Sequence, residues 1–154
     1  MSTIAIGQPQ ATEQPISMGS FWPEIDPAAA RAAQRIDGTV TTERWRDALI
    51  EAAATVIGLL SAWRVSQIEI GHTTLDAVPA ELIDDESIHV QRFHRAVHCL
   101  AAADVTERYR GFDATDSGNR LADELENPID DLRRDAHWAI GDILGRPRST
   151  VELI

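Results

Sequence analysis

Apolar residues recur every three to four positions along most of the chain, which is the period of an amphipathic α-helix. The longest such run begins after the capping residues Thr41 and Thr42 and extends to Gly71, a suitable helix end. We therefore predict one long helix between these points. Its buried stripe consists of Trp45, Leu49, Ala53, Val56, Leu60 and Trp63.

The same reasoning predicts a short helix before this one and another after it. The first begins at Asp26, with Pro27 in its first turn, and ends at the turn around Gly38. The later helix begins near Ser87 and ends at Gly111, after a loop in which Pro79 opens one short turn. The buried side of that helix consists of Phe93, Val97, Leu100, Ala101, Val105 and Tyr109.

A last helical segment starts around Thr115. Pro128 is expected to break or kink it, with Asn127 capping the second part, because proline removes a backbone donor. Gly145 and Pro147 then stop the helix. The stripe after the proline consists of Ile129, Leu132, Ala136, Ile140, Ile143 and Leu144.

The sequence pattern at the two ends of the chain does not predict a helix. Residues 1–24 are polar and rich in Gly, Pro and Gln, which predicts a flexible arm, with Phe21 and Trp22 anchoring it on the body or on a neighbouring subunit. Residues 149–154 alternate apolar and polar strand formers. We predict an all-α fold, a small helical bundle (25–145) with an extended N-terminal arm (1–24) and a C-terminal strand (146–154) that docks on another protein.

Charge and composition narrow the classes of function. The 154 residues carry a net charge of −11, which disfavours a surface that grips nucleic acid. The single Cys99 cannot form an internal disulfide, and this indicates a reducing compartment. No secretory signal or membrane-spanning run is evident.

His94 and His98 share a helix face, with His89 and Cys99 nearby, so a small helical metal-binding protein or enzyme is the alternative. A zinc site needs three or four converging ligands, and Arg95 stands where a metalloprotease motif requires Glu. The chain has no phosphate loop, nucleophile elbow or dinucleotide fingerprint. We expect no enzyme, no metal and no cofactor.

Several stretches together resemble the head completion/stabilisation proteins of P2-like tailed phages. They include "TLDAVPAELIDDES", "ERYRGFDATDSGNRLADELE", "DDLRRDAHWAIGDILGR" and the final "STVELI". The resemblance extends in the same order from about Phe21 to Ile154 and leaves out the arm. The most specific positions are Arg108, Tyr109, Arg110, Asp113, Arg133, Arg134, Trp138, Ala139, Ile140 and the "STVELI" ending.

The resemblance implies a structural protein of the virion, made in the bacterial host cytoplasm. Such proteins complete DNA-filled heads and look like adaptors that form a ring, expected to be dodecameric, beneath the portal. The implied partners are the portal protein, neighbouring copies, and neck or tail proteins, while packaged DNA passes through without sequence-specific binding. The receiving edge for the C-terminal strand is then the portal, or else a neighbouring subunit. The predicted contact residues are Arg146, Arg148, Thr150, Val151, Glu152, Leu153 and Ile154.

Overall fold

Helices make up most of the molecule. The computed structural model describes residues 13–110 and 116–148, with side chains at 13–109 and 128–148. The elements are α1 (Pro27–Ala33), α2 (Thr42–Leu59), α3 (Ser61–Ile70), β1 (Leu82–Ile83), β2 (Glu86–Ser87), α4 (Ile88–Arg110) and α5 (Asp116–Ile143). This architecture confirms the predicted all-α class with a small helical bundle.

Helix α4 lies at the centre of the bundle, packed against α5 on one side and against α2 on another. The α4–α5 pair is antiparallel, since Arg92 of α4 faces Asp142 and Glu107 of α4 pairs with Arg133. Most residues of the predicted stripes meet in one core, and Trp63, Leu100, Leu132 and Leu144 pack against it while only partly buried. Its largest fully buried apolar side chains are Trp45, Phe93, Ile25, Leu49, Leu60, Leu75, Val56 and Val97.

The predicted helix starts are confirmed by side-chain caps. The Asp26 carboxylate accepts a hydrogen bond from the Ala28 N–H at 2.9 Å, and the Thr41 hydroxyl accepts one from Arg44 N–H at 3.3 Å. The Ser87 hydroxyl likewise accepts from His89 N–H at 3.2 Å. Each cap satisfies an amide that the first turn of a helix leaves without a partner.

The prediction of a single helix from residue 42 to 70 is wrong. The chain breaks at Leu60, and the axes of α2 and α3 differ by 62°. Gly58 and Ser61 flank the break, and both residue types favour bends in helices. Leu60 itself is fully buried, so it holds the end of α2 on the core while α3 departs from it.

Within the described ranges no single helix is long and apolar enough to cross a membrane, although the bent pair α2 and α3 reaches that length and composition jointly.

Two further expectations are corrected near the α4–α5 connection. Tyr109 is 53% exposed and not part of the core, because it lies in the last turn of α4. Helix α5 continues through Pro128, so the predicted break is wrong and Asn127 lies within the helix rather than at the start of one. Pro128 sits at an exposed position, where solvent can satisfy the carbonyl that proline leaves free. The predicted end at Gly111 and start at Thr115 lie outside the described residues.

A short hairpin replaces part of the predicted loop before α4. Leu82 pairs with Ser87 and Ile83 pairs with Glu86 in an antiparallel register. The two turn residues, Asp84 and Asp85, have φ values of 56° and 58°. Positive φ at both central positions is the mark of a type I′ turn, whose twist matches that of a hairpin.

The described part of the predicted arm folds back on the helices. Ile16 exchanges two backbone hydrogen bonds with Ile25, at 2.8 and 3.0 Å. Phe21 and Trp22 are buried, and the Trp22 ring stacks on Phe93 with 5.0 Å between ring centroids. Residues 13–24 therefore pack on the bundle, and the packed body begins before residue 25.

Candidate assembly surface

The C-terminal end of α5 sets the direction in which the chain leaves the bundle. Gly145 has φ of +70°, and its N–H donates to the Asp142 carbonyl at 3.3 Å. The Arg146 N–H donates to the Gly141 carbonyl at 2.8 Å. These two bonds form a Schellman motif, which requires a residue that tolerates the left-handed conformation. The predicted helix stop at Gly145 is thus confirmed, and Pro147 follows it.

Two arginines stack on a partly exposed tryptophan beside this exit point. The guanidinium carbons of Arg134 and Arg148 lie 4.6 and 4.8 Å from the centroid of the Trp138 ring. Arg148 also binds the Asp142 carboxylate at 2.8 Å, and this hydrogen bond raises the pKa of Arg148. Since the ring attracts cations and the carboxylate fixes one of them, Arg148 is held in place after the helix has ended.

A groove of about 310 Å³ opens next to this stack. We call it the C-terminal groove. Apolar and basic side chains from the end of α2 and from the end of α5 line it together. The lining residues used below are Leu59, Trp138, Leu144, Arg146 and Arg148. The predicted contact residues Arg146 and Arg148 are therefore on one surface, whereas Thr150, Val151, Glu152, Leu153 and Ile154 lie outside the described residues.

Helix α3 is the second exposed apolar feature. None of its residues is buried, and Val65, Ile68 and Ile70 are 49%, 48% and 68% exposed. Its first turn approaches α4, where the rings of Trp63 and His89 meet edge to face at 5.7 Å between centroids. The rest of α3 carries apolar side chains that the described chain does not cover.

The hairpin adds a third exposed surface with the opposite charge to the groove. Leu82 and Ile83 are 67% and 54% exposed, and the turn and β2 present Asp84, Asp85 and Glu86 to solvent. No ion pair within the described ranges includes any of these three carboxylates. We call residues 82–87 the acidic hairpin.

The two predicted anchor residues point inward. Phe21 and Trp22 meet edge to face at 4.8 Å between ring centroids, and the Phe21 carbonyl accepts the Leu75 N–H at 2.8 Å. Nearby, the Arg31 guanidinium binds Glu13 at 2.8 Å, with both side chains largely buried. In this conformation the anchor fastens residues 13–24 to the subunit's own core, and neither ring is available to a neighbour.

The histidine face considered as a metal site has another structural use. The rings of His94 and His98 stack at 5.8 Å between centroids, and His94 Nε2 lies 3.0 Å from the Glu24 carbonyl oxygen. Burial, and then the charge of His94, lowers the pKa of His98 to about 4, against a smaller opposing effect of Asp26. No group of three or more His, Cys, Asp or Glu side chains among the residues described could hold a metal ion.

A larger groove of about 780 Å³ lies between α2 and α4, at the end where α4 stops. Charged side chains of both signs line it, including Arg44, Asp47, Glu51 and Arg108, together with Tyr109. These residues do not form a nucleophile with its base or a converging pair of carboxylates that would support catalysis. This surface therefore presents charged side chains of both signs for polar contacts.

Comparison with known proteins gives consistent results. The family model for phage head completion protein (GPL) matches residues 16–154. The head completion/stabilization protein of Escherichia phage P2 is 41% identical over 152 residues, which cover 99% of this chain and 90% of that protein. No solved structure matches this chain. The match begins at Ile16, where the described chain joins the packed core, and runs to the last residue. The chain belongs to the phage head completion protein family, whose members are structural proteins of the virion.

Proposed function

We propose that the protein completes the DNA-filled head as a ring beneath the portal, where it joins head to tail and retains the packaged DNA. Membership of the family gives the head completion role. The observation that supports assembly is α3, a helix with no buried residue and with Val65, Ile68 and Ile70 exposed. An apolar helix surface left uncovered in one subunit is suited to contact with another protein.

The proposed ring follows the symmetry of the portal and is a dodecamer. A net charge of −11 suits a lumen through which DNA slides, because an acidic wall repels phosphates and gives no grip on bases. The portal protein, neighbouring subunits, and neck or tail proteins below are its partners.

Heads that contain DNA and portal but lack this protein provide the test. We expect the added protein to appear by electron microscopy as a twelvefold ring at the portal vertex, and to make the DNA resistant to nuclease. The variant Ile68→Glu should lose ring formation, whereas the control Ser61→Glu, which places the same charge at the start of α3, should retain it. Protein scattered over the capsid surface would contradict the adaptor role.

We further propose that residues 149–154 form a strand that adds to a sheet edge of the portal, with a neighbouring subunit as the second candidate. The supporting observation is the fixed exit of the chain, where Gly145 ends α5 and Arg148 is held against Trp138. A strand whose base is already immobilised loses less entropy when it docks. Sequence alternation gives the strand two different faces, with Val151 and Leu153 on one.

Deletion of residues 149–154 tests this docking. The truncated protein should keep its helical circular dichroism signal but fail to attach to portal-bearing heads. Two double variants compare the two faces of the strand. The variant Val151→Ser with Leu153→Ser should weaken attachment, and the variant Thr150→Ser with Glu152→Gln should weaken it less. Normal head completion by the truncated protein would disprove the docking of this strand, and it would not contradict the proposed ring.

A further inference from the structure

The acidic hairpin and the C-terminal groove are complementary surfaces of one chain. We propose that in the assembled ring the hairpin of each subunit docks in the groove of the next subunit. This inference rests on the ring proposed above and specifies the contact between its members. Its occupant is a second copy of this chain.

Apolar surface is present on both sides of the contact. Leu82 and Ile83 project from the hairpin at 67% and 54% exposure. The groove presents Leu59 at 50% exposure and Trp138 at 37%, around a volume of about 310 Å³. Covering such side chains removes apolar area from water, which favours association.

Charge sets the orientation of the two surfaces. Asp84, Asp85 and Glu86 follow directly after the apolar pair of the hairpin, and Arg146 and Arg148 are among the residues that line the groove. Leu82 and Ile83 project to opposite faces of the hairpin, so Leu82 enters the groove and the neighbouring carboxylates come close to the guanidinium groups. In a protein with a net charge of −11, two copies repel each other in most orientations, so this pairing selects one of them.

The hairpin is built to keep its shape before it meets a partner. Its two turn residues both adopt positive φ, as a type I′ turn requires. The Gln91 amide of α4 donates to the Ile83 carbonyl and, at 3.2 Å, to the Glu86 carbonyl, so the hairpin is fastened to the bundle. A rigid protrusion pays a smaller entropy cost on docking than a mobile loop.

The hairpin and the C-terminal groove are built from different elements, the segment before α4 and the ends of α2 and α5. A contact between two unlike surfaces repeats from head to tail and closes as a ring when the rotation allows it.

Cysteine crosslinking on assembled heads provides the test. The double variant Leu59→Cys with Leu82→Cys places one thiol in the groove and one on the hairpin, both at exposed positions. The native Cys99 is buried, and burial raises the pKa of its thiol, so it should remain inert. A disulfide forms only where Cα atoms come within roughly 7 Å. We expect oxidation to give a ladder of covalent multimers, because each subunit links to two neighbours.

The control variant pairs Leu82→Cys with Tyr109→Cys, since Tyr109 is also exposed but lies at the other end of α4. It should give no ladder. Rings that are visible by microscopy without a ladder in the groove variant would overturn the hairpin contact alone. Covalent dimers only, or an internal disulfide, would also overturn it. Absence of rings from the wild-type protein would overturn both the contact and the proposed function.

Discussion

Helices α3 and α4 are both rich in apolar residues, yet they are placed in opposite environments. Phe93, Val97 and Ala101 of α4 are fully buried, because α2 and α5 cover that helix on two sides. In α3 no residue is buried. Apolar content alone thus does not decide where a helix lies in a subunit. The difference indicates that α4 forms the centre of the subunit's core, and it agrees with the proposal that α3 contacts another protein.

The largest expected effect is a loss of stability when isoleucine is truncated in the core but not in α3. Ile140 of α5 packs on the core at 5% exposure, and Ile68 of α3 is 48% exposed. Ile140→Ala should lower the free energy of unfolding by about 2–5 kcal/mol, since it leaves a cavity. Ile68→Ala should change it by less than about 0.5 kcal/mol. Urea unfolding of the two variants measures both, and equal losses would remove the distinction between the regions.

Acid should destabilise the α4 region through His98. Its folded pKa of about 4 is below the usual 6.5, so folding favours the neutral ring. This contribution is complete above about pH 6.5 and is lost as the pH falls toward 4, by roughly 3 kcal/mol from a shift of that size. Thermal unfolding of wild type and His98→Gln at a series of pH values measures it. If the stability of His98→Gln depends on pH in the same way as that of the wild type, His98 is not the source of the acid effect.

The smallest expected effect concerns how the two apolar helices begin. Thr41 caps α2 with its hydroxyl, whereas Leu60 stands at the start of α3 and offers no side-chain cap. Thr41→Ala should cost about 1 kcal/mol of stability. Ser61→Ala, the same loss of a hydroxyl in the first turn of α3, should cost less than about 0.5 kcal/mol. A larger loss at Ser61 would show that α3 contributes more to the fold than its exposure suggests.

The core was predictable from sequence because its helices follow a strict period and carry strong caps. Asp26, Thr41 and Ser87 mark helix starts, and most of the stripe residues are buried as expected, with Tyr109 as the exposed exception. The break at Leu60 was missed because the apolar stripe continues through it and no proline marks it, although Gly58 and Ser61 are residue types that favour bends. Tertiary packing of Leu60 decides where α2 ends.

Only some residues of the candidate assembly surface could be predicted from the sequence. Arg146 and Arg148 were predicted as contact residues, but the stack on Trp138 depends on the fold of the last turns of α5. The acidic hairpin was missed because its strands have two residues each and its turn is Asp84-Asp85, without the Gly that usually signals such turns. Three acids just before a helix also suit the positive end of its dipole, so they give no separate signal for a hairpin.

The Schellman motif at Gly145 has a consequence for distance. Because α5 ends there and Arg148 is held on Trp138, the chain beyond that point starts from a fixed place. Six residues follow Arg148, and fully extended they reach roughly 20 Å, at about 3.3 Å per residue. If residues 149–154 dock as proposed, the surface that receives them must therefore lie within that radius of Trp138. A flexible Gly-Ser insertion between Arg148 and Ser149 would relax this limit, and the proposed contact would then no longer hold a fixed distance from the bundle.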